Sequence, residues 1–73
     1  MSESIHSKEY ANVVRKLREA RDSSGLTQFE VATKLNKPQS YVSKIECGER
    51  RVDVVELTKL ADLYSKTLNW FVK

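Results

Sequence analysis

Two short stretches of helical apolar spacing meet across Asn36-Lys37-Pro38, and this break constrains the fold more than any other feature of the chain. Proline biases Lys37 away from helix and Asn36 tolerates the left-handed conformation, so one continuous helix cannot run through. Before the break, Thr27 stands at an N-cap position with Glu30 three residues later, the capping-box pattern. It opens a short helix expected over 28–35, with Val31, Ala32 and Leu35 inward. After the break, a helix from Pro38 or Gln39 to Cys47 turns Val42 and Ile45 inward, and Gly48 closes it. Helices that cross steeply over a tight turn need a small residue where they touch, and Ala32 lies four positions before Asn36.

The flanking segments have the same period. Tyr10, Val13, Val14, Leu17 and Ala20 form a stripe over 8–22, with Arg15, Lys16, Arg18 and Glu19 opposite, Ser7 as N-cap and Gly25 as the closing residue. Asp53 caps a fourth helix through Tyr64, with Val54, Leu57, Leu60, Ala61 and Tyr64 on one face. Ser65-Lys66 breaks that pattern, and Thr67 caps a last short helix over 68–72. Residues 1–7 show no period and read as a flexible N-terminal arm, leaving 8–73 as one domain. The expected fold is all-α, a compact five-helix domain containing a helix-turn-helix.

Composition removes most other functions. A chain of 73 residues buries only about 60 % of its unfolded surface, so a partner subunit would help it. One cysteine, Cys47, and one histidine, His6, can form neither an intrachain disulfide nor a structural zinc site. Two glycines cannot build a phosphate cradle. No set of titratable residues converges for acid–base chemistry, and Cys47 at a helix C-terminus lacks the field that activates a thiol. No enzyme activity, cofactor, metal or small-molecule ligand is therefore expected. No apolar run approaches the ~20 residues of a membrane span, and the N-terminus lacks a signal-peptide core, so a soluble cytoplasmic protein is expected.

The net charge is +3, and its excess leans toward the middle of the chain. Residues 27–51 hold Lys34, Lys37, Lys44, Arg50 and Arg51 against Glu30, Glu46 and Glu49, whereas 52–73 balance three against three. This permits nucleic-acid binding without demonstrating it.

The runs Leu26-Thr27-Gln28-Phe29-Glu30-Val31-Ala32 and Val42-Ser43-Lys44-Ile45-Glu46-Cys47-Gly48-Glu49-Arg50 resemble the lambda-repressor-like (Cro/XRE) helix-turn-helix family. Leu57-Thr58-Lys59-Leu60-Ala61 and Leu68-Asn69-Trp70-Phe71 are similar to its fourth and fifth helices, so the likeness covers about 9–72. Cys47 stands where the family commonly has Asn, and Lys37 where its turn is usually apolar. The resemblance implies a sequence-specific double-stranded-DNA-binding regulator acting as a homodimer on a palindromic operator. Stand-alone members of this kind include phage Cro-type repressors and restriction–modification controller proteins.

With the third helix in the major groove, Gln39, Ser40, Ser43 and Lys44 would reach base edges, and Tyr41 would either pack a thymine methyl or a phosphate or flank the core. Gln28 matches the family glutamine that meets a phosphate at a helix N-terminus, and Thr27 is first a cap and then a phosphate contact. Lys37, Arg50 and Arg51 would sit on the DNA backbone. Arg21 and Glu46 match a pair that joins the first helix to the end of the third, expected as a partly buried salt bridge. Trp70 is expected to close the core, and some of Tyr64, Leu68, Phe71 and Val72 are expected to spill outward into a dimer contact. The alternative is a protein-interaction or antitoxin-type module on the same fold; a third-helix surface that is polar rather than apolar favours DNA.

Overall fold

The computed structural model describes residues 7–73 and arranges them as α1 (Lys8–Ser24), α2 (Gln28–Leu35), α3 (Gln39–Glu46), α4 (Val54–Leu63) and α5 (Leu68–Val72). Residues 1–6, most of the expected arm, lie outside the described residues. Helix starts follow local chemistry. Ser7 Oγ accepts from Tyr10 N at 3.0 Å and Thr67 Oγ1 from Trp70 N at 3.3 Å. Thr27 with Glu30 and Asp53 with Glu56 each form a complete capping box. Only α3, among the described helices, starts without a side-chain cap; it follows Pro38.

Helix ends use the left-handed conformation. Asn36 (φ 60°) closes α2 through Asn36 N–H to Thr33 O at 3.1 Å and Lys37 N–H to Ala32 O at 2.9 Å, the Schellman pattern. The carbonyls of the last turn are thereby satisfied, and the chain turns directly into α3. Ser65 (φ 59°) closes α4 in the same way, with Ser65 N–H to Asp62 O at 3.2 Å and Lys66 N–H to Ala61 O at 2.8 Å. Serine has a Cβ that this conformation disfavours and glycine has none. Ser65→Gly is therefore expected to stabilise the domain by about 0.5–1 kcal/mol, roughly 3–6 °C in Tm, in a thermal melt. A lower Tm would show that the strain at Ser65 is smaller than the backbone entropy glycine adds.

Leu17, Val31, Ile45 and Phe71, from four different helices, are the largest fully buried side chains. α2 packs chiefly on α3, while α1 lies against both α3 and α5. Ala32 is 1 % exposed, the small residue that close approach of α2 and α3 requires. Several sequence-based expectations need correction. α1 runs two residues further than expected, to Ser24. Val54 sits in the first turn of α4, beyond the edge of the core, and is exposed. Leu35 is only half-buried. Tyr64 (4 % exposed) and Phe71 (0 %) are core residues and present no surface to a partner; of the expected dimer set only Leu68 and Val72 reach solvent. Phe71 plugs the core, and the half-buried Trp70 lies edge-on to it with ring centroids 5.0 Å apart. No helix among the described residues is long and apolar enough to cross a membrane.

Candidate nucleic-acid interface

The back of α3 is fixed and its front is open. Val42, Ile45 and Glu46 are buried, Gln39, Ser40 and Lys44 are exposed, and Ser43 is half-buried between the two faces. This division follows from the period of 3.6, because Val42 and Ile45 share the face that meets the core. Gly48 (φ 82°) ends the helix, with Glu49 N–H donating to Lys44 O at 2.9 Å. A Cβ at Gly48 would meet open space but an unfavourable backbone conformation.

Glu46 anchors this helix. Arg21 Nε donates to Glu46 Oε2 at 2.8 Å and Arg21 Nη2 to Glu46 Oε1 at 3.1 Å, while Arg21 Nη1 reaches Leu26 O at 3.1 Å. The hydrogen bond to Glu46 is the main cause that holds the Arg21 guanidinium above its ordinary pKa. Gln28 Nε2 donates to Glu46 Oε1 at 3.0 Å, and Arg18 Nη1 donates to the Glu46 carbonyl. One carboxylate therefore ties α1, α2 and α3 together. The Gln28 amide, expected on a phosphate, is engaged inside the protein. Its backbone N–H remains in the first turn of α2, where helix N–H groups have no intrahelical acceptor. Thr27 uses both polar groups in its capping box, with Glu30 N to Thr27 Oγ1 at 3.1 Å and Thr27 N to Glu30 Oε1 at 2.8 Å.

A second cluster joins α3 to the loop before α4. Tyr41 Oη donates to Glu56 Oε2 at 2.9 Å, and Arg50 forks onto the same carboxylate, with Nη1 to Oε1 and Nη2 to Oε2 both 3.2 Å. Asp53 N–H donates to Glu56 Oε1 at 3.0 Å. Burial would raise the Glu56 carboxyl, but hydrogen bonds from Asp53, Arg50 and Tyr41 outweigh it and hold it below the ordinary glutamate range. Burial, with the bond to Glu56 added, pushes the Tyr41 hydroxyl up to about 12. Lys37 Nζ and Arg50 Cζ lie 5.3 and 4.7 Å from the Tyr41 ring centroid. Of the two positions open to Tyr41, the structure favours the one flanking the core: it is half-buried with its hydroxyl turned to α4, because Glu56 offers a carboxylate within reach. Arg50 is likewise bound internally rather than presented as an unpaired phosphate contact.

Arg51 turns the other way, its guanidinium 4.9 Å from the Tyr10 ring centroid on α1. Tyr10 Oη accepts from Val52 N–H at 3.0 Å and donates to Arg50 O at 3.4 Å, which pins the loop to α1. Thus Gln39, Ser40, Ser43, Lys44 and Lys37 gather along α3 and its entry turn, with Thr27 and Gln28 at the start of α2. Sequence reasoning missed Glu56, Tyr10 and Arg18. Only Glu56 has a local signal, its place three residues after the cap Asp53; the others act across 28 to 42 residues of chain.

Residues 17–71 match a family model described as helix-turn-helix. Over 58 residues, 80 % of this chain, the sequence is 36 % identical to a Bacillus subtilis (strain 168) protein named HTH-type transcriptional regulator ImmR. That alignment covers 46 % of the relative, so the chain spans about half the length of the curated protein it matches.

Proposed function

The chain belongs to the Cro/XRE-type helix-turn-helix family, and on that premise we propose that it is a sequence-specific, double-stranded-DNA-binding regulator of transcription. The observation that carries this reading is the division of α3, whose back is held by Glu46 and whose exposed front offers Gln39, Ser40 and Lys44. A helix held rigidly behind and polar in front suits the major groove, where glutamine addresses adenine and lysine guanine. α3 also starts without a side-chain cap, so its first N–H groups remain available to an oxygen acceptor. Backbone N–H groups at Gln28, with Thr27 and Lys37, would meet phosphates and fix the register.

The working form is a homodimer on a two-fold operator with half-sites ~34–36 Å apart. Leu68 and Val72, exposed on α5, supply the apolar part of the contact. The alternative is a protein-interaction or antitoxin-type module on the same fold, for which Phe29, 64 % exposed on α2, would be the apolar side chain for a partner to cover.

Selection of binding sites from random duplex DNA at ~150 mM salt, with the solution mass measured in parallel, separates these readings. A palindrome should be enriched by the wild type and lost with Gln39→Ala and Ser43→Ala, each costing about 1–3 kcal/mol of discrimination. Binding only at low salt and without enrichment would overturn sequence readout and turn attention to a protein partner at Phe29. A monomeric mass at tens of micromolar, with and without the selected duplex, would remove the dimer.

A further inference from the structure

The Glu56 cluster has a consequence for how strongly the protein holds DNA of any sequence, provided that it binds DNA as proposed above. Arg50 lies just after α3, its side chain is 43 % exposed, and its fork is occupied by a carboxylate on the same molecule. A guanidinium that forks onto a carboxylate presents the geometry that it would present to a phosphate, so the two anions compete for it. We infer that Glu56 withholds Arg50 from the DNA backbone and thereby sets the sequence-independent part of the affinity.

The surroundings of the carboxylate fit this role. Glu56 does not depend on Arg50 for its position, because Asp53 N–H at 3.0 Å and Tyr41 Oη at 2.9 Å hold it as well. Tyr41 is on α3 and Asp53 on the start of α4, so the competitor is fixed to the same rigid frame as the base-reading face. The Arg50–Glu56 pair is neutral as a unit, which removes one cation from the loop that borders α3 without removing the residue. Neutralising a cation in this way weakens binding to every duplex by a similar factor and leaves base-edge contacts unchanged, so the overall affinity falls while the preference between sites is kept.

The test is a double-mutant cycle read as affinity for a random duplex and for the selected duplex at ~50 and ~200 mM salt, using wild type, Glu56→Gln, Arg50→Gln and the double variant. Glutamine is itself a capping-box residue at this position, so Glu56→Gln keeps the helix start, and a thermal melt checks it. Glu56→Gln should bind random duplex roughly three- to tenfold tighter at ~50 mM, with the gain shrinking about threefold by ~200 mM. The double variant, neutral at this spot like the wild type, should return to within about twofold of wild type. Structural damage would weaken binding, so a gain is not its signature. Unchanged or weaker random-duplex binding by Glu56→Gln overturns the inference. So does a double variant several-fold weaker than wild type, since Arg50 would then already be engaging phosphate. If the wild type binds neither duplex at either salt, the DNA-binding reading fails and this inference falls with it; if the wild type binds and only the cycle is flat, the inference alone fails.

Discussion

Glu46→Ala should lower the stability of the domain by about 3–5 kcal/mol, because it removes the two-pronged carboxylate from a largely buried Arg21 guanidinium, leaving it only Leu26 O at 3.1 Å and the exposed Asp22 at 3.7 Å. The Arg21 side chain is only 17 % exposed and the Glu46 side chain 4 %. The substitution also strips Gln28 Nε2 of its acceptor at the start of α2. Such a loss is a large part of the 5–15 kcal/mol typical of a whole domain, and corresponds to roughly 15–30 °C in Tm for a chain of this size. Urea and thermal unfolding measure it directly. The size of this effect is not the net worth of the ion pair. Replacing both partners by apolar residues of similar volume, Arg21→Met with Glu46→Leu, should recover much of the loss, since no buried charge is then orphaned. What the double variant should not recover is the fixed angle of α3, so stability would return without DNA affinity. A single variant melting within a few degrees of wild type would mean that water reaches Arg21 and that Glu46 does not anchor α3.

How much of this was legible in the sequence depends on the range of each interaction. Helix starts are decided within four residues, so Ser7, Thr27, Asp53 and Thr67 could be read as caps directly, as could the left-handed Asn36 that ends α2. The division of α3 into Val42 and Ile45 behind and Gln39, Ser40 and Lys44 in front follows from helical period alone. Contacts set by the angle between helices have no such signal. Tyr41 could be placed on α3, but not against a carboxylate 15 residues later. The engagement of its hydroxyl and of the exposed Arg50 fork by Glu56 of the same chain therefore has no local signal. Two of the four dimer candidates, Tyr64 and Phe71, lie in the core for another reason. Periodicity identifies an apolar face, but it does not say whether the chain's own core or a partner covers it. Tyr64 and Phe71 carry the same pattern as an interface would, and the core of the same chain took them.

Phe71→Ala separates these two kinds of burial and is the second large effect. α5 has five residues, too few to persist as an isolated helix, so tertiary contacts hold it in place. Phe71, 0 % exposed, is the principal one. The half-buried Trp70 adds its edge-on contact with Phe71, and Lys16 Nζ donates to Trp70 O at 2.8 Å. Truncating a fully buried phenylalanine costs about 3–5 kcal/mol, from the lost transfer energy and from the cavity left behind. In so small a domain this should bring the melting transition close to ambient temperature. Since the loss arises within one chain, it should be the same at every protein concentration. Val72, 64 % exposed next to it, should behave in the opposite way. Val72→Lys should change the Tm of a dilute sample by no more than about 0.5 kcal/mol equivalent, and act only where dimers form. Melts of both variants over a hundredfold range of concentration therefore assign each residue to core or interface. A concentration-dependent loss for Phe71→Ala would return Phe71 to the interface, and would mean that α5 packs on its own chain only when a second copy is present.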